Sequence, residues 1–216
     1  MLLKNYYYFY TEVVPHRFCD DVIEFSKTKE TQRARTQSEA NEMKAKGKVS
    51  QKTIDKGMEK RDSEILWMDE RWIYKELQPF VHEANQEAGW NFQWDFSEIP
   101  QFTKYALNQH YNWHTDSSDT PYDKPTVPQM HGKIRKLSLI LSLSDPNDYE
   151  GGELQLDFRN NFDSDWKDGQ ASKVATELRE RGSLIVFPSF LWHKLNSVTK
   201  GIRYSLVMWN DGLPFR

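Results

Sequence analysis

The feature that most restricts this chain is a change of hydrophobic period near its middle. In KLSLILSLS (136–144), Leu137, Leu139, Leu141 and Leu143 alternate with Ser138, Ser142 and Ser144. A period of two belongs to a strand and not to a helix. The alternation returns in ELQLDF (153–158) behind a Gly151-Gly152 turn. A denser apolar run follows in GSLIVFPSFLWH (182–193), and IRYSLVMW (202–209) comes after Gly201. Several short strands separated by turns predict an antiparallel sandwich or barrel.

Upstream the pattern differs. NYYYFY (5–10) is aromatic and β-prone, and Pro15 ends it. Phe18, Val22, Ile23 and Phe25 then form a helical stripe. A second amphipathic helix spans 69–88, with Trp72, Ile73, Leu77, Phe80, Val81 and Ala84 on its apolar side, Pro79 as the place for a kink and Gly89 at its end. Helices first and strands after predict a mainly β chain with flanking helices, an α+β arrangement. At 216 residues this is one domain, 1–216. Residues 1–98 supply an N-terminal strand and supporting helices, and 99–216 supply the β core.

Composition narrows the function. The formal charge of −3 argues against general affinity for nucleic acid or anionic membranes. Cys19 is the single cysteine, so no internal disulfide forms, and it reads as a small buried residue in a reducing compartment. No run resembles a signal peptide or a membrane span, and a cytoplasmic protein is expected. Residues 28–62 carry ten Lys/Arg against six Asp/Glu and no aromatic side chain. This stretch reads as a polar, basic, solvated excursion. Residues 159–173 read as a polar loop between strands, and the Pro-rich 117–133 as a loop that could cover a cavity.

The chemistry starts from YNWHTDSSD (111–119). In an extended strand, His114 and Asp116 point to the same side. Imidazole with carboxylate suits iron, manganese or zinc, and two ligands need a third. His193, at the end of the apolar run, is the best candidate, and His110 is the rival by parity. Arg203 lies in an otherwise apolar strand and calls for an anionic partner that its planar fork can grip. Ser205, two residues on, shares its face. Pairing of KLNSV with IRYSLV across the TKG turn would bring Arg203 back to the metal. Trp113, Trp192 and Trp209 flank these residues and read as core.

The ordered set TKYALNQHYNWHTDS, LSLSDPNDYEGGEL and GSLIVFPSFLWHKLNSVTKGIRYSLVMW resembles the iron(II)- and 2-oxoglutarate-dependent dioxygenases. Within them it resembles the prolyl 4-hydroxylase-like branch, nearest to the PKHD-type hydroxylases of bacteria and related phage-borne proteins. The resemblance implies a double-stranded β-helix, the jelly-roll or cupin-like core. It implies that His114, Asp116 and His193 hold Fe(II) and that Arg203 pairs with 2-oxoglutarate. Tyr105 would hydrogen-bond that cosubstrate. Tyr105 has the opposite strand parity to His114, so a turn must intervene, with Asn108 the residue to take an unusual backbone angle. The implied reaction is hydroxylation of an unactivated C–H bond, with O2 consumed and 2-oxoglutarate converted to succinate and CO2. A carboxylate at position 116 favours hydroxylation over halogenation. The substrate would be a prolyl residue in a peptide or protein, or free proline, with ascorbate as a candidate reductant. A zinc hydrolase using the same His2Asp set, or a non-catalytic jelly-roll binding module, are the alternatives.

Overall fold

The computed structural model describes residues 3–158 and 172–215. In chain order its elements are β1 (Tyr8–Tyr10), α1 (His16–Lys27), β2 (Gln32–Arg33), α2 (Gln37–Lys46), α3 (Gln51–Lys60), β3 (Arg61–Asp62), β4 (Glu64–Trp67) and α4 (Arg71–Glu87). The strands that follow are β5 (Phe96–Ser97), β6 (Gln101–Tyr105), β7 (His110–His114), β8 (Ile134–Ser142), β9 (Tyr149–Gly151) and β10 (Leu154–Asp157). The last are β11 (Ser172–Val174), β12 (Leu184–Pro188), β13 (Trp192–Leu195), β14 (Val198–Gly201) and β15 (Arg203–Gly212). Of the expected loop 159–173, residues 159–171 lie outside the described residues, and Ser172 and Lys173 begin β11.

Among the described residues the large sheet runs β1-β12-β8-β15-β6-β4-β2, with β5 also on β15. The second sheet runs β11-β10-β13-β7-β3, and β14 pairs with β9. Every pairing is antiparallel, and the two larger sheets enclose a cavity between them. This is the jelly-roll expected. The first 98 residues are woven into it, because β1 pairs with β12, β4 with β6 and β3 with β7.

The alternation in 136–144 sorts side chains between two interiors. Leu137, Leu139, Leu141 and Leu143 enter a core with Phe18, Cys19 and Val22 of α1 and Ile73, Leu77, Val81 and Ala84 of α4. Fully burying one such aliphatic side chain contributes about 1.5–3 kcal/mol. The helices therefore cover the outer face of the large sheet, and α4 runs through Pro79. Ser138 and Ser142 are fully buried as well, so the polar face of β8 looks into the barrel and not to solvent. The β8–β15 register slips between Asn210↔Leu137 and Asp211↔Arg135. This bulge reverses the alternation and places Arg135 on the cavity side with Ile140.

Two expectations change. KLNSV and IRYSLV do not form a hairpin: β13 belongs to the second sheet, β15 lies centrally in the first, and β14 turns aside to pair with β9. Nor is 28–62 a featureless excursion. Glu39, fully buried, accepts from the Thr36 backbone N–H at 2.8 Å and pairs with Arg33, closing a Thr-x-x-Glu capping box on α2. Ser50 caps α3. Gly57 is required where α3 crosses α2, since a Cβ there would lie 2.4 Å from Glu39 Oε2. No described helix is long and apolar enough to cross a membrane.

Candidate metal centre and its cavity

Residues His114 and His193 are direct register partners on β7 and β13. Their rings sit 4.1 Å apart between centroids. Each Nδ1 lies against a backbone carbonyl, Asn112 O at 2.8 Å and Leu191 O at 2.9 Å. A carbonyl can only accept, so each Nδ1 carries the proton and each Nε2 presents a lone pair. Tyr111 stacks on His114 at 3.5 Å, and Phe187 meets His193 edge-on at 4.8 Å.

Asp116 follows β7 by two residues and is fixed by its backbone. The N–H groups of Asp116 and Ser117 both donate to Ser189 O at 2.9 Å. Ser138 Oγ donates to Asp116 Oδ2 at 2.8 Å and is itself 2.8 Å from Ser189 Oγ. The carboxylate then stands 3.7 Å from His114 Nε2 and 3.5 Å from His193 Nε2. One ligand atom from each of the three residues lies within 4.8 Å of the others, and this is the one such cluster among the described residues. His110, the rival, is held between the carbonyls of Asn108 and Glu59 and does not join it.

Electrostatics suit a divalent cation. Burial, reinforced by the neighbouring His193, pushes His114 well below the usual imidazole range and leaves it neutral. Burial alone would raise Asp116, but its charged surroundings, in which Arg135 is the permanent cation, prevail and hold its pKa down at about 2. The indole N–H of Trp209 adds a weaker pull at longer range than a hydrogen bond. A neutral imidazole and an ionised carboxylate, both buried and converging, form a facial set that leaves other positions of a metal open.

Across the cavity, about 670 Å³ in volume, stands Arg203. It is 2% exposed and makes no hydrogen bond or ion pair with the described residues. Gly152 permits its stem to pass, since a Cβ there would lie 2.9 Å from Arg203 Cδ. Tyr105 is its register partner on β6. Tyr105 and Ser205 both line the cavity. Asn108 has φ +67°, the turn that the parity of Tyr105 requires. Tyr105 and Ser205 face the cavity from the sheet opposite to that of His114.

Several contributors escape the sequence reading. Arg61, Arg33, Arg35, Thr36 and Lys60 line the cavity, whereas from the 117–133 loop only Ser117 and Ser118 do so. Trp209 also belongs to the cavity wall. Arg135 forms a bidentate pair with Glu98, at 2.6 and 2.8 Å, and lies 3.9 Å over Trp209. The signal for Arg135 was the one used for Arg203, an arginine in an apolar strand.

A jelly-roll whose open cavity holds two histidines and an aspartate opposite a buried arginine defines a class of non-haem metal oxygenase. Residues 100–211 match the family described as 2OG-Fe(II) oxygenase superfamily, and the chain belongs to it. The family's oxygenases work with iron(II), 2-oxoglutarate and O2. A PKHD-type hydroxylase from Pseudoalteromonas atlantica is 33% identical over 115 residues, 53% of this chain and 43% of that protein. The chain thus spans less than half the length of that relative. Among solved structures, a viral collagen prolyl hydroxylase from Paramecium bursaria Chlorella virus-1 superposes with TM-score 0.62 at 17% identity, over 97% of this chain and 98% of that one. A prolyl hydroxylase from Trichoplax adhaerens, in complex with a hypoxia inducible factor peptide fragment, superposes with TM-score 0.64 at 14% identity, covering 96% and 84%. At these identities the structures establish the shared fold.

Proposed function

We propose that this chain is a hydroxylase that uses iron(II) and 2-oxoglutarate to oxidise a C–H bond of a prolyl residue in a peptide or protein. The observation that carries the reading is the pairing, within one cavity, of the convergent His114–Asp116–His193 set with a buried arginine that has no partner among the described residues. The prolyl substrate is supported by likeness to the PKHD-type and prolyl hydroxylases.

Iron(II) together with 2-oxoglutarate supplies the oxidising power, with decarboxylation to succinate accompanying hydroxylation. The chain's own groups do the rest. His114, Asp116 and His193 would hold the metal. Arg203 holds the far carboxylate of the cosubstrate in its fork, where low local dielectric strengthens the pair, with Tyr105 and Ser205 as neutral hydrogen-bonding neighbours. Ile140, Leu154, Leu195 and Val207 line the same space and keep water from it. Asp116 is the one carboxylate among the described residues that line the cavity, and it serves as a ligand. A hydrolytic reading therefore lacks a general base.

The test is anaerobic visible absorption of the metal-free protein titrated with Fe(II), then 2-oxoglutarate, with Asp116→Ala and Arg203→Ala beside it. A weak charge-transfer band that needs both additions and fades in the variants is expected. Absence of the band, with zinc retained through purification, overturns the reading.

A further inference from the structure

The charged groups that line the cavity are nearly all of one sign. Its cations are Arg33, Arg35, Lys60, Arg61, Arg135 and Arg203, against the lone carboxylate of Asp116. Two of them are already neutralised, Arg33 by Glu39 and Arg135 by Glu98, and Arg203 is assigned to the cosubstrate. Arg35, Lys60 and Arg61 remain.

Arg61 is the most telling of the three. It is 8% exposed, yet among the described residues its bonds go only to neutral atoms, Ser63 Oγ at 3.1 Å and Gln101 Oε1 at 2.7 Å. Its guanidinium lies 4.5 Å over the Tyr111 ring, which in turn stacks on His114. A buried cation with no counter-charge is costly, and here it stands one ring away from a metal ligand. Arg35 and Lys60 flank it, both exposed and both without a hydrogen bond or ion pair to the described residues. Overall charge does not explain the patch, because the chain is net −3.

We propose that the cavity takes an acidic segment of a peptide or protein, with carboxylates flanking the oxidised residue held by Arg61, Arg35 and Lys60; this rests on the hydroxylase reading above and specifies its substrate. The same wall carries Gln32, Thr36 and Gln37, neutral groups that can bond peptide amides. It has one exposed aromatic, Trp67 at 39%, packed against Trp209 at 6.2 Å. A single-stranded nucleic acid site needs a succession of stacking aromatics along its basic groove, so an acidic peptide fits better.

The experiment is fluorescence anisotropy under anaerobic conditions, with protein loaded with Fe(II) and 2-oxoglutarate. The probes are labelled peptides with a central proline flanked by Glu, Gln or Lys, and an oligothymidine of matching charge. The Glu peptide should bind about tenfold tighter than the Gln peptide at low salt, a preference that shrinks at ~0.5 M salt. Arg35→Glu/Lys60→Glu should remove the preference of the Glu over the Gln peptide, with thermal melting as the control for folding. The milder Arg35→Gln/Lys60→Gln should lose part of it. Equal binding of Glu and Gln peptides, or an undiminished preference in the double variant, overturns the proposal. So does oligothymidine binding more tightly than the Glu peptide. A Glu preference in protein that shows no iron–2-oxoglutarate band supports the acidic rim while overturning the hydroxylase reading.

Discussion

Replacing Arg203 by Met should move stability and ligand binding in opposite directions. The guanidinium is 2% exposed and has no hydrogen-bonded or charged partner among the described residues, so the ligand-free fold carries a desolvated cation without compensation. Met keeps most of the stem's volume and removes the charge. Exchanging buried ionic groups for apolar ones of similar size is neutral to stabilising by about 1–4 kcal/mol. With no partner left stranded, a gain of about 1–3 kcal/mol is expected, which for a chain of this size raises Tm by about 2–10 °C. Binding reverses the sign. Wild-type protein with 2-oxoglutarate at about 100 times its Kd gains about 2.7 kcal/mol. Loss of a buried charge-assisted pair costs about 2–5 kcal/mol, which cuts that gain to less than about 1 kcal/mol. Differential scanning calorimetry of both proteins, with Mn(II) present and with or without 2-oxoglutarate, reads both effects. A ligand-free Tm several degrees below wild type would show that Arg203 holds the fold together through a contact of its own. A ligand-induced shift equal to wild type would remove it from the cosubstrate site. Either result refutes the argument.

Three further expectations concern buried groups around the cavity. Arg135→Met strands Glu98, whose side chain is 9% exposed, and should cost about 3 kcal/mol; Glu98→Gln added to it should recover part of the loss, and strictly additive denaturation energies would rule out the pairing. Asp211 is fully buried with both oxygens unbonded, and burial, then the charge of Glu98, pushes its pKa up to about 7. A raised acid binds its proton more tightly folded than unfolded, so this contribution is complete below about pH 4 and is lost as pH rises through about 7. Asp211→Asn should accordingly raise Tm more at pH 8 than at pH 5, and parallel Tm–pH curves would exclude the effect. Gly152 has φ +67° and abuts Arg203, so Gly152→Ala should lower stability by about 1–2 kcal/mol and weaken 2-oxoglutarate binding measured by isothermal titration.

Much of the fold and the metal set was legible because each rests on a local rule. Period-two leucines mark β8 whatever surrounds it, the stripe from Phe18 to Phe25 marks α1, and His-x-Asp keeps two candidate ligands close together at the end of β7. Residues 28–62 depart from what their bulk composition implies because local capping chemistry builds α2 and α3 there. Thr36-x-x-Glu39 and Ser50 were capping signals in plain view, and composition alone cannot register them.

What the sequence determined by itself was which stretches are strands, which are helices, and which side chains share a face. Those depend on backbone geometry within a few residues. Only the tertiary structure decided that β13 and β15 part into different sheets, that the serine face of β8 looks inward, and that Arg61 lies one ring from His114. Pairing between distant strands is set by the burial of whole faces and by bulges such as the one at Lys136. Its free energy is spread over contacts that no short window of sequence contains. The cationic rim follows from the same cause, because Lys60 and Arg61 come beside the metal site when β3 pairs with β7, and Arg35 is carried to the same cavity by the pairing of β2 with β4.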